Sequence, residues 1–311
     1  MVYKRKAVLI TGGAGYIGSK LTTRLVDNGW QVIVLDKLVY GRQSLEHLKD
    51  QKNLKLIQGD VNNSELMKEC LQNCEFIFPL ACVVGAPLCD LHPEEAKETN
   101  FEAIKNLTKL IQPHHKIIYP TTNSGYGTKS GDVYCDENSS LDPISLYGKT
   151  KVDAEKILLD NGHAVTLRLA TVFGASFRNR FDLLVNDFVR KALIESKIEL
   201  YEGHFKRNFI HIDDVIDGFI FMMEHFEENK GEAFNLGLEE ANISKKELAY
   251  LIKEQIPALE ISESLDRTDP DQRNYIVSNK KILQAGFTAK RSLETGILEM
   301  IELVKKTENL L

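Results

Sequence analysis

The chain has 311 residues, of which 43% are hydrophobic and 27% are charged, with 20 Gly and 8 Pro. This ordinary globular composition excludes the disordered, collagen-like and low-complexity classes. The formal net charge of -6 leaves no excess of cationic side chains for a phosphate backbone, so nucleic acid is not expected as a partner.

The five cysteines and the hydropathy pattern indicate in which cellular compartment the chain is expected and whether it contacts a membrane. The cysteine count is odd and shows no paired CxxC spacing, so we expect neither a disulfide framework nor a metal site, and a reduced, cytoplasmic location. No apolar run approaches the roughly 18 residues that a membrane-spanning helix needs, so we expect no membrane partner.

Short apolar runs alternate with amphipathic segments of helical length in the first half of the chain. The runs predicted as strands are residues 7–10, 31–35, 54–57, 76–78, 116–119 and 164–169. The segments predicted as helices are residues 19–28, 64–72, 94–112 and 143–160. This order predicts an α/β fold with a doubly wound parallel sheet of the Rossmann type.

After residue 174 the alternation weakens into helices and short pieces. We therefore predict a Rossmann domain formed by residues 1–173 with about 206–228. A smaller, discontinuous α/β substrate lobe is predicted from residues 174–205 with about 229–311.

A glycine-rich loop, TGGAGYIG at residues 11–18, follows the first predicted strand and precedes a helix. This order lets bare backbone approach a pyrophosphate, while the start of the helix offers unpaired N–H groups and a positive dipole. The residues predicted to contact a dinucleotide are Gly12, Gly15, Tyr16, Ile17 and Gly18.

Asp36 ends the second predicted strand, where a carboxylate accepts hydrogen bonds from the adenosine ribose of a dinucleotide. A 2'-phosphate there would meet a like charge, so NAD is favoured over NADP. Lys37, the next residue, weakens this argument a little.

Tyr147 and Lys151 lie in a predicted helix at a spacing that places both on one face. An ammonium group beside a phenol lowers the phenol's pKa towards the range of a general base. The pair alone is a weak signal, since most such pairs are solvated. A hydroxyl-rich loop at residues 120–127, at the carboxyl end of a predicted strand, strengthens it.

Together these motifs resemble the extended short-chain dehydrogenase/reductase superfamily, specifically its nucleotide-sugar epimerase/dehydratase group. The resemblance covers nearly the whole chain and includes RNFIHIDD at residues 207–214. It implies NAD as cofactor, with further cofactor contacts from Asp60, Val61, Leu80, Ala81 and Asn100.

The resemblance also assigns the reacting groups. It implies that Thr122 hydrogen-bonds the reacting hydroxyl, that Tyr147 is the base, and that Lys151 binds the nicotinamide ribose. The implied contacts to a nucleotide-diphospho-sugar substrate are Val84, Asn123, Ser124, Thr171, Arg180, Asn186, Arg207 and Arg273. Thr171 stands where many relatives have Asn. The family also implies a homodimer packed through the helices that carry Asn100 and Tyr147.

Two departures from the family pattern bear on the reaction. The 4,6-dehydratases of this group follow the active-site Thr with Asp and Glu, and the mannose 3,5-epimerases have Cys at position 124. This chain has Asn123 and Ser124. We therefore favour oxidation at the sugar C4, either as the first half of a C4 epimerisation or as a net 4-dehydrogenation.

Three runs, TTNSGYG, VVGAP and RFDLLVN, resemble a subgroup that includes GDP-manno-heptose 4-dehydrogenases. The alternatives that stay open are a 4,6-dehydratase, a non-catalytic NAD-binding regulator built on this fold, and an NADP-linked ketone reductase. Asp36 weighs against the reductase, and the intact Tyr-Lys pair weighs against the regulator.

Overall fold

A computed structural model of the chain describes residues 7–129, 134–264 and 274–309. Its strands are, in chain order, β1 (Ala7–Thr11), β2 (Val32–Asp36), β3 (Leu54–Gln58), β4 (Cys74–Pro79), β5 (Lys116–Thr122), β6 (Tyr134–Cys135), β7 (Ala164–Leu169), β8 (Thr171–Phe173), β9 (Lys197–Tyr201), β10 (Lys206–His211), β11 (Ala233–Leu236), β12 (Asn242–Ser244), β13 (Glu260–Ser264) and β14 (Ile276–Val277).

The α-helices are α1 (Tyr16–Asp27), α2 (Ser64–Leu71), α3 (Ala86–Leu91), α4 (Pro93–Lys97), α5 (Ala103–Leu110), α6 (Leu146–Asn161), α7 (Leu184–Ile194), α8 (Ile212–Glu224), α9 (Phe226–Asn229), α10 (Lys245–Gln255), α11 (Lys280–Gln284) and α12 (Leu293–Thr307). Among the described residues, no helix is long and apolar enough to cross a membrane.

A seven-stranded sheet in the order β11-β7-β5-β4-β1-β2-β3 forms the centre of the fold, and every pairing in it is parallel. Its strands are mainly apolar because helices cover both faces. One face packs with α1 and α8 around Leu21 and Phe219, and the other packs with α2, α5 and α6 around Leu107 and Leu158. The predicted doubly wound parallel sheet is confirmed.

The predicted helix 94–112 is found as a continuous helical run from Pro93 to Leu110, but it is not regular throughout. A π-helical turn at Glu98–Glu102 separates α4 from α5. Asn100 lies in this turn and hydrogen-bonds the backbone of Val83, a contact between distant segments that helical periodicity cannot reveal.

The predicted boundary between the Rossmann domain and the substrate lobe, at about residue 229, is wrong for β11. β11 is the edge strand of the large sheet and pairs with β7. Its Phe234 and Leu236 belong to the apolar cluster of that sheet, so burial against the sheet determines its place.

A second hydrophobic cluster lies outside the large sheet. It joins α7, α10 and α12 to β8, β9 and β10 through buried residues such as Phe173, Val189, Phe209, Leu248 and Ile297. Two small sheets, β12-β10-β8 and β13-β9, accompany it. These elements lie beyond the carboxyl end of β7, where the candidate site begins.

Candidate active site

The glycine-rich loop turns sharply between β1 and α1. Gly12 has φ +71°, and a Cβ there would stand 2.7 Å from the backbone nitrogen of Ala81. A Cβ on Gly18 would overlap the carbonyl oxygen of Gly12. Only glycine fits at these two positions. Gly12 lies against the connection after β4, and Gly18, in the first turn of α1, lies against the loop itself.

The start of α1 is suited to an anion. Its N-cap is Gly15, which supplies no side-chain cap, and the first turn has no acidic residue. The N–H groups of this turn and the positive end of the helix dipole therefore favour a phosphate group. The bare loop and this helix end fit the pyrophosphate of a dinucleotide.

Asp36 connects the end of β2 to this loop. One carboxylate oxygen accepts a hydrogen bond from the backbone of Ala14 at 3.0 Å, and the other accepts one from the backbone of Leu38 at 2.8 Å. The carboxylate is thus fixed beside the glycine-rich loop.

The Lys37 ammonium pairs with two carboxylates and so is not free to bind a phosphate. Its ammonium lies 3.0 Å from Asp60 and 3.4 Å from Glu95. Burial tends to raise the pKa of Asp60, but hydrogen bonds from Asn62 and Lys37 outweigh it and hold that pKa below its usual range. Asp60 is therefore ionised and balances the Lys37 charge.

The connection after β4 runs beside the glycine-rich loop. The backbone N–H of Ala81 donates to the Thr11 hydroxyl at 3.3 Å. Asn100 accepts a hydrogen bond from the N–H of Val83 at 2.8 Å and donates to its carbonyl at 3.0 Å. Asn100 is 1% exposed, so it braces this connection from within.

The hydroxyl-rich loop packs directly on the start of α6. The hydroxyl of Thr122 donates to the hydroxyl of Ser124 at 2.9 Å and accepts from its backbone N–H at 3.1 Å. A Cβ on Gly148, next to Tyr147, would lie 3.4 Å from the Ser124 carbonyl. The fold therefore brings the Thr122 loop and the Tyr147 turn of α6 together.

Asn123, between these residues, is 1% exposed. Neither polar atom of its amide has a hydrogen-bond partner among the described residues. Buried polar groups normally have a partner, so the Asn123 amide retains hydrogen-bonding capacity that the described residues do not use.

Lys151 is buried, and its ammonium lies 3.8 Å from the centre of the Tyr119 ring. Burial lowers the pKa of Lys151, while Cys82 and Glu155 oppose that shift. Tyr147, one turn earlier, is partly buried against Val83 and Cys89. The predicted Tyr147–Lys151 pair therefore lies beside the connection after β4, which the Asn100 hydrogen bonds hold in place.

Sequence reasoning missed two charged residues beneath the pair. Arg168 on β7 and Glu155 on α6 form a buried ion pair, with a guanidinium nitrogen 2.7 Å from a carboxylate oxygen. Glu155 follows Lys151 by four residues, so helical spacing is the signal that could have identified it.

Tyr16 links the glycine-rich loop to the segment after β8. Its hydroxyl donates to the carbonyl of Gly174 at 2.7 Å, and Ser176 donates to the carbonyl of Tyr16 at 2.6 Å. Burial raises the pKa of Tyr16. The side chain of this predicted cofactor residue therefore holds a neighbouring segment in place.

The predicted sugar-side residues are scattered around this segment. Arg180 is paired with Asp182, and the Asn186 amide bonds the backbone of Gly174 and Arg180 at 3.1 and 2.9 Å. Arg207 is buried on β10.

Other predicted substrate contacts lie farther out or outside the described residues. Val84 is 37% exposed in the loop after β4, and Thr171 begins β8. Arg273 falls outside the described residues. Within the described ranges, no group of three or more His, Cys, Asp or Glu side chains could hold a metal ion.

Residues 8–237 match the model of the NAD dependent epimerase/dehydratase family. The chain belongs to this family. The resemblance drawn from the motifs is thereby confirmed, as is NAD as the cofactor of the family.

Curated relatives in the epimerase/dehydratase family catalyse different reactions. The chain is 28% identical to UDP-glucuronic acid decarboxylase 1 of Arabidopsis thaliana over 96% of its length and 69% of the relative. It is 29% identical to dTDP-D-glucose 4,6-dehydratase of Bos taurus over 96% of its length and 88% of the relative.

Solved structures of family members match over almost the whole chain. UDP-glucose 4-epimerase of Thermotoga maritima, solved with UDP-glucose, superposes with a TM-score of 0.85 and is 26% identical, covering 97% of this chain and 99% of that one. UDP-glucuronic acid 4-epimerase of Bacillus cereus, in complex with UDP-glucuronic acid and NAD, gives 0.83 and 25%, with the same coverage. The chain is thus a member of a nucleotide-sugar enzyme family whose reactions differ.

Proposed function

We propose that this protein oxidises the C4 hydroxyl of a nucleotide-diphospho-sugar to a ketone. The reaction is either the first half of a C4 epimerisation or a net 4-dehydrogenation. The observation that carries the proposal is the turn of α6 that bears the partly buried Tyr147 and the buried Lys151. This turn packs on the Thr122 loop, which has no carboxylate at positions 123 and 124.

In this proposal Tyr147 accepts the proton of the C4 hydroxyl, and Thr122 orients that hydroxyl by a hydrogen bond. The buried Lys151 ammonium stabilises the Tyr147 phenolate. NAD, when bound, supplies the acceptor for the hydride that leaves C4. The Gly12 to Gly18 loop and Asp36 would hold it, since the bare backbone and the fixed carboxylate fit a pyrophosphate and a ribose.

Positions 123 and 124 argue against a 4,6-dehydratase. Loss of the C6 hydroxyl needs an acid for that oxygen and a base for the C5 proton. An Asn amide and a Ser hydroxyl do not titrate near neutral pH. We therefore assign Asn123 and Ser124 to substrate binding, for which the unpartnered Asn123 amide is suited.

We propose that Arg207 binds the diphosphate together with Arg273, which lies outside the described residues, because a guanidinium group presents several donors to phosphate oxygens. The sugar is open. Because of the three sequence runs named above, GDP-manno-heptose belongs among the first substrates to test.

We also propose a homodimer that packs through the helices around Asn100 and Tyr147. Apolar side chains are exposed nearby on α3, where Leu91 is 70% exposed. Burial of these side chains in an interface would be favourable. Sedimentation analysis of the NAD-loaded protein should give the mass of two chains, and a single-chain mass at micromolar concentration would contradict the dimer.

The reaction is tested with a panel of UDP-, GDP-, CDP- and dTDP-sugars that includes UDP-glucose, UDP-glucuronic acid and GDP-manno-heptose. An epimerase yields the C4 epimer without net NADH absorbance. A 4-dehydrogenase yields a 4-keto product with one NADH for each product. Deuterium at C4 of the accepted sugar should slow the chemical step and appear on the cofactor.

Mass spectrometry of the product decides against the proposal if the sugar has lost one water, since that is the mark of a dehydratase. Loss of carbon dioxide from UDP-glucuronic acid would place the protein with the decarboxylases. Binding of NAD without turnover of any sugar would favour the regulatory alternative.

A further inference from the structure

The buried face of α6 carries charged groups at successive turns. Lys151 follows Tyr147 by four residues, and Glu155 follows Lys151 by four. Residues at this spacing are neighbours on a helix surface. A buried carboxylate one turn from a buried ammonium would normally pair with it, because opposite charges attract strongly away from water.

In this protein Glu155 is bound by Arg168 instead. The Nε and Nη2 groups of Arg168 donate to the Glu155 carboxylate at 3.0 and 2.7 Å. Both side chains are almost completely buried, at 6% and 3% exposure. No ion pair between Lys151 and Glu155 forms in the part of the chain that the structure describes.

The Arg168 guanidinium is itself held from its other side. Its Nη1 group donates to the Tyr126 hydroxyl at 3.0 Å and to the carbonyl of Glu137 at 3.1 Å. Tyr126 in turn donates to the side chain of Asn235 on β11 at 2.7 Å. These bonds fix the direction in which the guanidinium faces Glu155.

The ionisable groups around Lys151 come from three elements. Tyr147 and Glu155 lie on its own helix, Tyr119 lies on β5, and Cys82 lies in the loop after β4. Among these groups Glu155 is the carboxylate, so it is the main competitor of Tyr147 for the Lys151 charge.

We propose that Arg168 is a positioning residue for the Tyr147–Lys151 pair, because it binds Glu155 and so keeps that carboxylate from capturing the Lys151 ammonium. This inference rests on the proposed function of the pair. Without Arg168, Glu155 is a buried carboxylate whose charge is uncompensated, and the Lys151 ammonium one turn away is the cation that can neutralise it. The ammonium then moves towards Glu155 and away from Tyr147.

The test measures ionisation of the Tyr147 phenol directly. The NAD-loaded protein is titrated by near-ultraviolet absorbance, and the curve of the matching Tyr147→Phe variant is subtracted to isolate this phenol among the 10 tyrosines. The variants are Arg168→Met and the double variant Arg168→Met/Glu155→Gln. The double variant lacks the same arginine but also lacks the competing carboxylate.

In Arg168→Met we expect the Tyr147 pKa to rise by about one unit or more, as the ammonium is drawn away. The acidic limb of the kcat profile, measured with the sugar nucleotide that the panel identifies, should move up by the same amount. In the double variant both quantities should return close to the wild-type values.

A purely structural role predicts a different pattern. Both variants lose the bonds to Tyr126 and Glu137, so they would lose stability alike and show no difference in the Tyr147 titration. An unshifted phenol in folded Arg168→Met, or an equal shift in both variants, overturns the proposal. If Arg168→Met does not fold, Arg168→Gln takes its place, since it also removes the cation that binds Glu155, and a shift in the same direction is required.

Failure of this inference is distinct from failure of the proposed function. If Tyr147→Phe retains hydride transfer, the proposed mechanism is wrong whatever Arg168 does. If Tyr147→Phe is inactive while the phenol of the Arg168 variants is unshifted, only the positioning role is wrong.

Discussion

The cofactor edge of the sheet and the sugar-side segments are built in different ways. At the cofactor edge, the side chains of predicted residues bond the backbone of neighbouring segments, as Asp36 does with Ala14 and Asn100 with Val83. On the sugar side, Asn186 bonds the backbone of its own loop region. The glycine-rich loop of the first region follows from backbone geometry that a motif encodes, whereas its outer contacts and the sugar-side loop depend on side-chain bonds that no motif encodes.

The largest loss of activity should come from substitution of Tyr147, which lies between the cofactor edge and the sugar-side segments. Tyr147→Phe should lower kcat on the order of 10²- to 10⁴-fold, because the proton acceptor is lost while the ring stays. Calorimetry should show nearly unchanged binding of NAD and of the sugar nucleotide. The exposed Tyr134→Phe is the matched control and should be fully active. Near-normal turnover in Tyr147→Phe would remove the mechanism.

The backbone character of the cofactor edge is tested by Gly18→Ala. The added methyl group would overlap the Gly12 carbonyl, and overpacking of this kind costs about 1–3 kcal/mol. We expect NAD affinity to fall about tenfold to a hundredfold, since 1.4 kcal/mol corresponds to a factor of ten. Gly203→Ala, where a Cβ meets only ordinary contacts, should bind NAD normally. Normal NAD binding by Gly18→Ala would show that the loop can widen.

The preference for NAD over NADP tests the role of the Asp36 charge at the cofactor edge. Calorimetry should give NAD an affinity more than about tenfold above that of NADP, because a 2'-phosphate would face the Asp36 carboxylate. Lys37→Met should leave this ratio unchanged, since Lys37 is paired with Asp60 and Glu95. Equal affinity for the two cofactors in the wild type would contradict the role of Asp36.

The smallest effect is expected at Asn186 and bears on the sugar side. Asn186→Ala should destabilise the protein by about 1–2 kcal/mol, because its amide bonds backbone groups of two residues. The exposed Asn138→Ala should change stability by less than about 0.5 kcal/mol. Thermal unfolding gives both values. If Asn186→Ala instead raises KM without loss of stability, the amide acts mainly on the substrate.

The sequence predicted the sheet and the glycine-rich turn well, for a physical reason. Strand periodicity and a strand–glycine–helix order are local signals, so the six predicted strands and the Gly12 to Gly18 loop could be located without any tertiary contact. The π-helical turn at Asn100 and the membership of β11 in the large sheet depend on contacts between distant segments. No local pattern encodes those contacts.

The candidate site shows the same division. The Tyr147–Lys151 spacing is a helix property and was predictable. The pairing of Glu155 with Arg168 was not predicted, because Arg168 comes from a different element and its choice of partner depends on the packing of α6 against β7. Likewise, the sequence alone could not show that Lys37 is neutralised by Asp60 and Glu95.

The position of β11 has a consequence for the order in which the protein folds. β7 and β11 are neighbours in the sheet, but residues 170–232 lie between them in the chain. During synthesis, the outer edge of β7 stays uncovered until residue 236 has emerged, and the bond from Tyr126 to Asn235 cannot form earlier. Contacts between such distant residues slow folding, so we expect closure of the sheet edge at β11 to be a late step.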